Sequence, residues 1–238
     1  MDISENINSV LSRIAAAAEK SHRSPSDITL VAATKQNDAA RVAEAISAGI
    51  TVCGENRAQE LLEKNSQNAY SGAKLHFIGQ LQKNKVKQLV GVCDLIQSVH
   101  SLELLSLINA RADALGIVQE LLLEINIGGE AAKSGMAPEE LSHILEACSD
   151  FSALRIRGLM AIPPNLENKA LVRAHFAHMY QLFVDNSTKK YDNVSMDFLS
   201  MGMSGDFEEA IAEGANMVRV GSAIFGARTY PNTAATGV

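Results

Sequence analysis

Ile28-Thr29-Leu30-Val31-Ala32-Ala33-Thr34-Lys35-Gln36 is an apolar run that stops at a charged residue. A short run of this kind suits a strand covered on both faces, and such strands belong to parallel sheets joined by crossover helices. Turn-forming Ser24-Pro25-Ser26-Asp27 precedes it, and a helical segment near Asp38 to Ala48, closed by Gly49, follows it. Further strands are predicted at Thr51–Cys53, Leu75–Ile78, Asp94–Val99, Gln119–Ile127, Leu154–Ala161, Phe198–Met201 and Met217–Val220. The first and these seven make eight strand candidates.

Between them lie helical patterns. Leu102, Leu105, Ile108, Ala112 and Leu115 run to Gly116, and Leu141, Ile144, Leu145 and Cys148 begin at Pro138. A leading helix carries Ile3, Ile7, Val10, Leu11 and Ile14 behind Asp2, with Glu5 placed for a capping box. Eight strands alternating with helices favour an α/β fold of one (β/α)8 TIM-type barrel with an extra N-terminal helix, an open doubly wound sheet being the rival. No linker or low-complexity tract divides the 238 residues, so one domain over 1–238 is expected.

Composition narrows the function classes. An apolar fraction of 47% excludes disorder as the main state, and a net charge of −6 disfavours nucleic acid and anionic membranes, leaving a small molecule as the default partner. Cys53, Cys93 and Cys148 lack the close spacing of zinc or redox sites and read as packing thiols. The N-terminus is too polar for a secretory signal and no apolar run reaches membrane-spanning length, so a cytoplasmic location is expected. His175 and His178 share a helical face without a third ligand, so no metal site is expected, and Lys83, Lys85 and Lys87 read as a solvated helix start.

In a barrel, chemistry gathers where strands end. Lys35 ends the first strand, where loss of hydration would lower its pKa and free an amine for attack on carbonyls; the bland reading is a surface lysine. Strands seven and eight run into Met201-Gly202-Met203-Ser204-Gly205-Asp206 and Arg219-Val220-Gly221-Ser222-Ala223. These are the two loops where barrels most often cradle phosphate, although each alone could be a plain connector. Alternation puts Val218 and Val220 on one face and Arg219 on the other, plausible inside the barrel. There it would pair with a carboxylate or donate to a heteroaromatic nitrogen of a ligand.

Across nearly its whole length the sequence resembles the pyridoxal phosphate homeostasis protein family, which is similar to the barrel domain of alanine racemase. The resemblance rests on Ala33-Thr34-Lys35, Gly54-Glu55-Asn56-Arg57, the segment from His76-Phe77-Ile78-Gly79-Gln80 to Lys85, Ala132-Lys133-Ser134-Gly135-Met136 and the two C-terminal loops; it departs at Leu75, where an aromatic residue is usual. It implies pyridoxal 5'-phosphate held as a Schiff base on Lys35. It places Ser204, Gly205, Gly221 and Ser222 around the phosphate, Arg219 at the pyridine nitrogen, and Asn56 and His76 along the pocket, with Met203 also among the cofactor-binding residues; the bland reading of His76 is a core histidine bonded to backbone. Lys133 is a second cofactor lysine or a solvated loop residue.

The implied role is vitamin B6 and amino-acid homeostasis without substantial catalysis, apoenzymes being the partners that would receive cofactor. The alternatives are a pyridoxal-phosphate-dependent racemase and a lysine Schiff-base aldolase. A racemase needs an acid/base group on each substrate face, yet Tyr70, Tyr180, Tyr191 and Tyr230 are not predicted at strand ends. Only a short tail follows Ser222 where racemases add a dimerising domain, so a monomer is expected.

Overall fold

The computed structural model describes residues 2–130, 133–164, 166–189 and 191–226. Along them run α1 (Ile3–Lys20), β1 (Thr29–Ala33), α2 (Ala39–Ser47), β2 (Val52–Glu55), α3 (Ala58–Ser66), β3 (Lys74–Phe77), α4 (Val86–Leu89), β4 (Leu95–Val99) and α5 (Leu102–Leu115). Then come β5 (Gln119–Ile125), α6 (Leu141–Cys148), β6 (Leu154–Ala161), α7 (Lys169–Ser187), β7 (Val194–Ser200), α8 (Phe207–Ala212), β8 (Met217–Val220) and α9 (Ser222–Phe225). The strands close in sequence order into a parallel barrel, with Val31 opposite Arg219 where β1 meets β8. The open sheet is thereby excluded.

Closure divides each strand's side chains into two sets. Val31, Val52, Leu95, Leu122, Met160 and Met217 form a compact cluster of their own, the filling of the barrel interior. The outward set, including Leu30, Ala32, Cys53, Phe77, Ile96, Leu121, Leu123, Val218 and Val220, joins the helices in a larger core. Cys53, Cys93 and Cys148 are buried free thiols. Burial pushes each up to about 12, so at neutral pH they remain protonated packing groups.

The leading helix has the expected capping box between Asp2 and Glu5. It lies against α8 and α9: Arg13 makes two hydrogen bonds to Glu208, stacks 4.5 Å from the Phe207 ring centroid, and Asn6 donates to the Ile224 carbonyl. Ile3, Ile7, Val10 and Ile14 are buried, whereas Leu11 is exposed because it lies on the flank of that stripe. Asp38 caps α2 as its pattern suggests, and a 3-10 turn over Pro138–Glu140 delays α6 to Leu141. Strand β7 starts four residues before the expected Phe198, since Val194–Asp197 is half-exposed and lacks an apolar run.

The register of β6 against β7 slips between Ile156 and Gly158. Gly158 has φ +140°, and a Cβ there would stand 2.0 Å from the Phe198 carbonyl oxygen. Gly158→Ala combines backbone strain with a clash against immovable backbone, so a loss of about 3 kcal/mol or more is expected. A denaturant midpoint unchanged from that of the parent chain would contradict this.

Candidate functional site

One cleft of about 890 Å³ opens at the carboxyl ends of the strands. Lys35, Asn56, Met203, Ser204, Gly205, Arg219, Gly221 and Ser222 line it together with Ile78, Ile162, Asn37, Arg41 and Phe225. Lys35 reaches it because strand alternation carries the inward set from Val31 through Ala33 to position 35. The chain then leaves the wall at once, Gln36 adopting φ +62°.

The two C-terminal loops face each other and are tied together. The Gly221 and Ala223 backbone N–H groups converge on Ser204 Oγ at 3.2 and 3.4 Å. Asp206 Oδ1 accepts from the Met203 N–H at 2.6 Å, closing the first loop on itself. A side chain at Gly221 would press on Ala33 at 3.2 Å, so this backbone runs close beside β1. Small residues therefore leave N–H and hydroxyl groups along the cleft.

Arg219 lies at the base of the cleft and is buried. Nη1 donates to Ser200 Oγ at 2.6 Å and Nη2 to the Ala161 carbonyl at 3.0 Å, and among the described residues it forms no ion pair. Burial lowers its pKa to about 10, opposed by Glu124 and Asp206, so it stays cationic at neutral pH. From it a chain of bonds crosses the interior: Ser200 Oγ donates to Gln97 Oε1 at 2.7 Å, and Gln97 Nε2 to His76 Nδ1 at 3.0 Å. Since a guanidinium can only donate, its direction is fixed and leaves the His76 proton on Nε2.

His76 does not line the cleft; it faces a separate cavity toward the opposite end of the barrel. The inward position level with the cleft on that wall is two residues later, at Ile78. Lys133 is also absent from the lining: Nζ pairs with Glu130 Oε2 at 2.5 Å and donates to the Pro163 carbonyl at 3.1 Å. Tyr70 is buried against Glu55 behind the wall, the Tyr180 ring packs near Gly214, Tyr191 bridges to Val194, and Tyr230 and Ala132 lie outside the described residues. Among the described residues no cluster of His, Cys, Asp or Glu could hold a metal ion, and no helix is long and apolar enough to cross a membrane. Gln97 and Ser200 escaped sequence reading, although Gln97 is a lone amide in the apolar strand Leu95-Ile96-Gln97-Ser98-Val99.

Asn56 adds a polar atom without a partner among the described residues. Its Oδ1 is buried and unbonded, while Gly79 packs so tightly on its backbone that a Cβ would stand 1.9 Å from its carbonyl oxygen. A buried acceptor held this rigidly beside an amine, a cationic donor and a cradle of N–H groups is arranged for a polar ligand.

The fold and this cleft define a barrel of the alanine racemase type: residues 6–229 match the family described as alanine racemase, N-terminal domain. The pyridoxal phosphate homeostasis protein of Aquifex aeolicus is 41% identical over 230 residues, covering 97% of this chain and 100% of the relative. That of Pseudomonas aeruginosa is 41% identical over 228 residues, covering 96% of each. PipY of Synechococcus elongatus PCC7942, solved with PLP bound, superposes with a TM-score of 0.83 at 32% identity, covering 94% of this chain and 100% of that one. The chain belongs to the pyridoxal phosphate homeostasis protein family.

Burial depresses the His76 pKa from 6.5 to about 4, with Lys74 adding to the effect and Asp94 opposing it. The unfolded chain therefore takes up a proton that the folded chain refuses. This contribution is complete above pH 6.5 and is lost as pH falls toward 4, by up to about 3 kcal/mol. His76→Gln is expected to flatten that part of the stability profile, read as urea midpoints between pH 7 and 4.5; an unaltered slope would show that another group carries it.

Proposed function

We propose that this protein binds pyridoxal 5'-phosphate in the cleft, holds it through an imine on Lys35, and serves vitamin B6 and amino-acid homeostasis by binding and release, without substantial catalysis. The observation that carries the reading is the convergence in one cleft of Lys35, the tied Ser204–Gly205 and Gly221–Ser222 loops, buried cationic Arg219 and the unpaired Asn56 Oδ1.

Each residue has a distinct task. Lys35 would supply the amine that condenses with the cofactor's aldehyde with loss of water, and Ser204, Gly205, Gly221 and Ser222, with Met203 beside them, would hold the phosphate. Arg219 would donate to the ring nitrogen, and Asn56 would orient the ring edge. His76 acts from beneath, through Gln97 and Ser200, on the direction in which Arg219 points. When bound, the cofactor supplies a reactive aldehyde and an electron-withdrawing ring. A permanently charged donor at the nitrogen leaves that ring unprotonated and restrains its pull on electrons, which favours carriage over turnover. Lys133 serves as a second amine only after release from Glu130 and Pro163. A cytoplasmic monomer that hands cofactor to apoenzymes completes the reading.

Purified protein is expected to show a yellow imine band that borohydride bleaches, leaving pyridoxyl mass on Lys35. Failure to bind added cofactor would overturn the proposal and bring a lysine-dependent aldolase forward. Ser204→Asp or Ser222→Asp sets a carboxylate against the phosphate, and a loss of about tenfold or more in affinity is expected. An unaltered titration would remove that loop from the site. Racemisation of common amino acids is expected to be absent or slow, and robust turnover abolished by Lys35→Ala would sink the carrier reading.

A further inference from the structure

Behind the barrel wall at Lys35 lies a group of charged side chains that the cleft itself does not use. Glu55 on β2 is buried and accepts from Lys64 Nζ at 2.5 Å, from Thr34 Oγ1 at 2.8 Å and from the Asn56 N–H at 3.1 Å. Lys64 also donates to the Thr34 carbonyl at 2.9 Å. Its neighbour one turn earlier on α3, Glu60, lies 3.7 Å from Lys64 Nζ and accepts from the Gln36 N–H at 2.9 Å.

The two backbone groups gripped in this way have a particular meaning. The Thr34 carbonyl belongs to the peptide entering Lys35, and the Gln36 N–H to the peptide leaving it. Two side chains at i, i+4 on one helix therefore hold both peptide planes that fix the direction of the Lys35 Cα–Cβ bond. Gln36 is a non-glycine residue at φ +62°, a conformation that costs about 1 kcal/mol and persists only where its surroundings impose it. The same carboxylate that braces Lys64 also anchors Asn56. A buried ion pair is weak evidence for added stability, since an apolar pair of similar volume often serves as well. Its contacts here instead concentrate on the peptides of two cleft residues.

We propose that Glu60, braced by Lys64 and Glu55, is a positioning residue that aims Lys35 from outside the barrel, setting how readily its amine forms the imine and not how tightly the cleft holds phosphate. This rests on the cofactor reading above, and the experiment separates the two. Wild type, Glu60→Leu, Glu60→Gln and Glu60→Leu combined with Gln36→Gly are each titrated with pyridoxal 5'-phosphate. Imine absorbance and borohydride-trapped mass on Lys35 report the covalent step. Pyridoxine 5'-phosphate, which has an alcohol in place of the aldehyde, reports the ring and phosphate contacts alone.

Glu60→Leu is expected to weaken imine formation about tenfold or more, as misplacement of a reacting group does, while pyridoxine 5'-phosphate affinity and the melting midpoint hold. Glu60→Gln keeps an acceptor and should recover most of the loss. Gln36→Gly should recover part of it, because glycine adopts the turn without strain. Equal loss of both ligands, or a lowered melting midpoint that accounts for the imine loss, would reduce Glu60 to a structural residue and overturn the inference. So would wild-type behaviour. If Glu60→Leu misfolds, Glu60→Asp, one methylene shorter, carries the same comparison. A wild type that forms no imine on Lys35 would instead overturn the cofactor reading beneath it.

Discussion

Closing parallel strands on themselves forces alternate side chains into a space that solvent cannot fill, and the content of that space determines what the molecule can do. In this barrel the lower filling is apolar, from Val31, Val52, Leu95, Leu122, Met160 and Met217. Next to it lie the buried polar side chains of Arg219, Ser200, Gln97 and His76, which bond to one another within the wall. A guanidinium solves this because it can only donate, and it starts a chain in which Ser200, Gln97 and His76 each accept on one side. One charged donor thus sets the orientation of three other side chains.

The same closure makes a rigid base for a ligand. The barrel filling supports Arg219 from below, and the connection through Ser204 keeps the two C-terminal loops together. Lys35 and Asn56 come from neighbouring strands and share the Glu55 cluster behind them. The loop backbone at Ser204 and Gly221 is tied at the β7 and β8 ends, while the peptides on either side of Lys35 are held by Lys64 and Glu60 of α3.

The sequence carries the repeating order well, because strands covered on both faces make short apolar runs and helices make a different rhythm. It carries the cleft residues where one chain segment suffices, as at Thr34-Lys35 or in the glycine–serine loops. Depth is less visible: His76 and Ile78 are both inward positions, and nothing local says which one is level with the cleft. The half-exposed start of β7 has no apolar signature to read. Least visible are the contacts of Gln36 with Glu60 and Thr34 with Lys64, which span 24 and 30 residues and exist only once α3 has packed.

The buried thiols have a meaning beyond packing. Thiolates add readily to aldehydes and compete with amines for them, so a protein that carries an aldehyde is safest with none within reach. All three cysteines lie beneath the surface with their protons held firmly. Held beneath the surface, the thiols leave the lining of the cleft without a competing sulfur nucleophile, as the proposed aldehyde ligand would require.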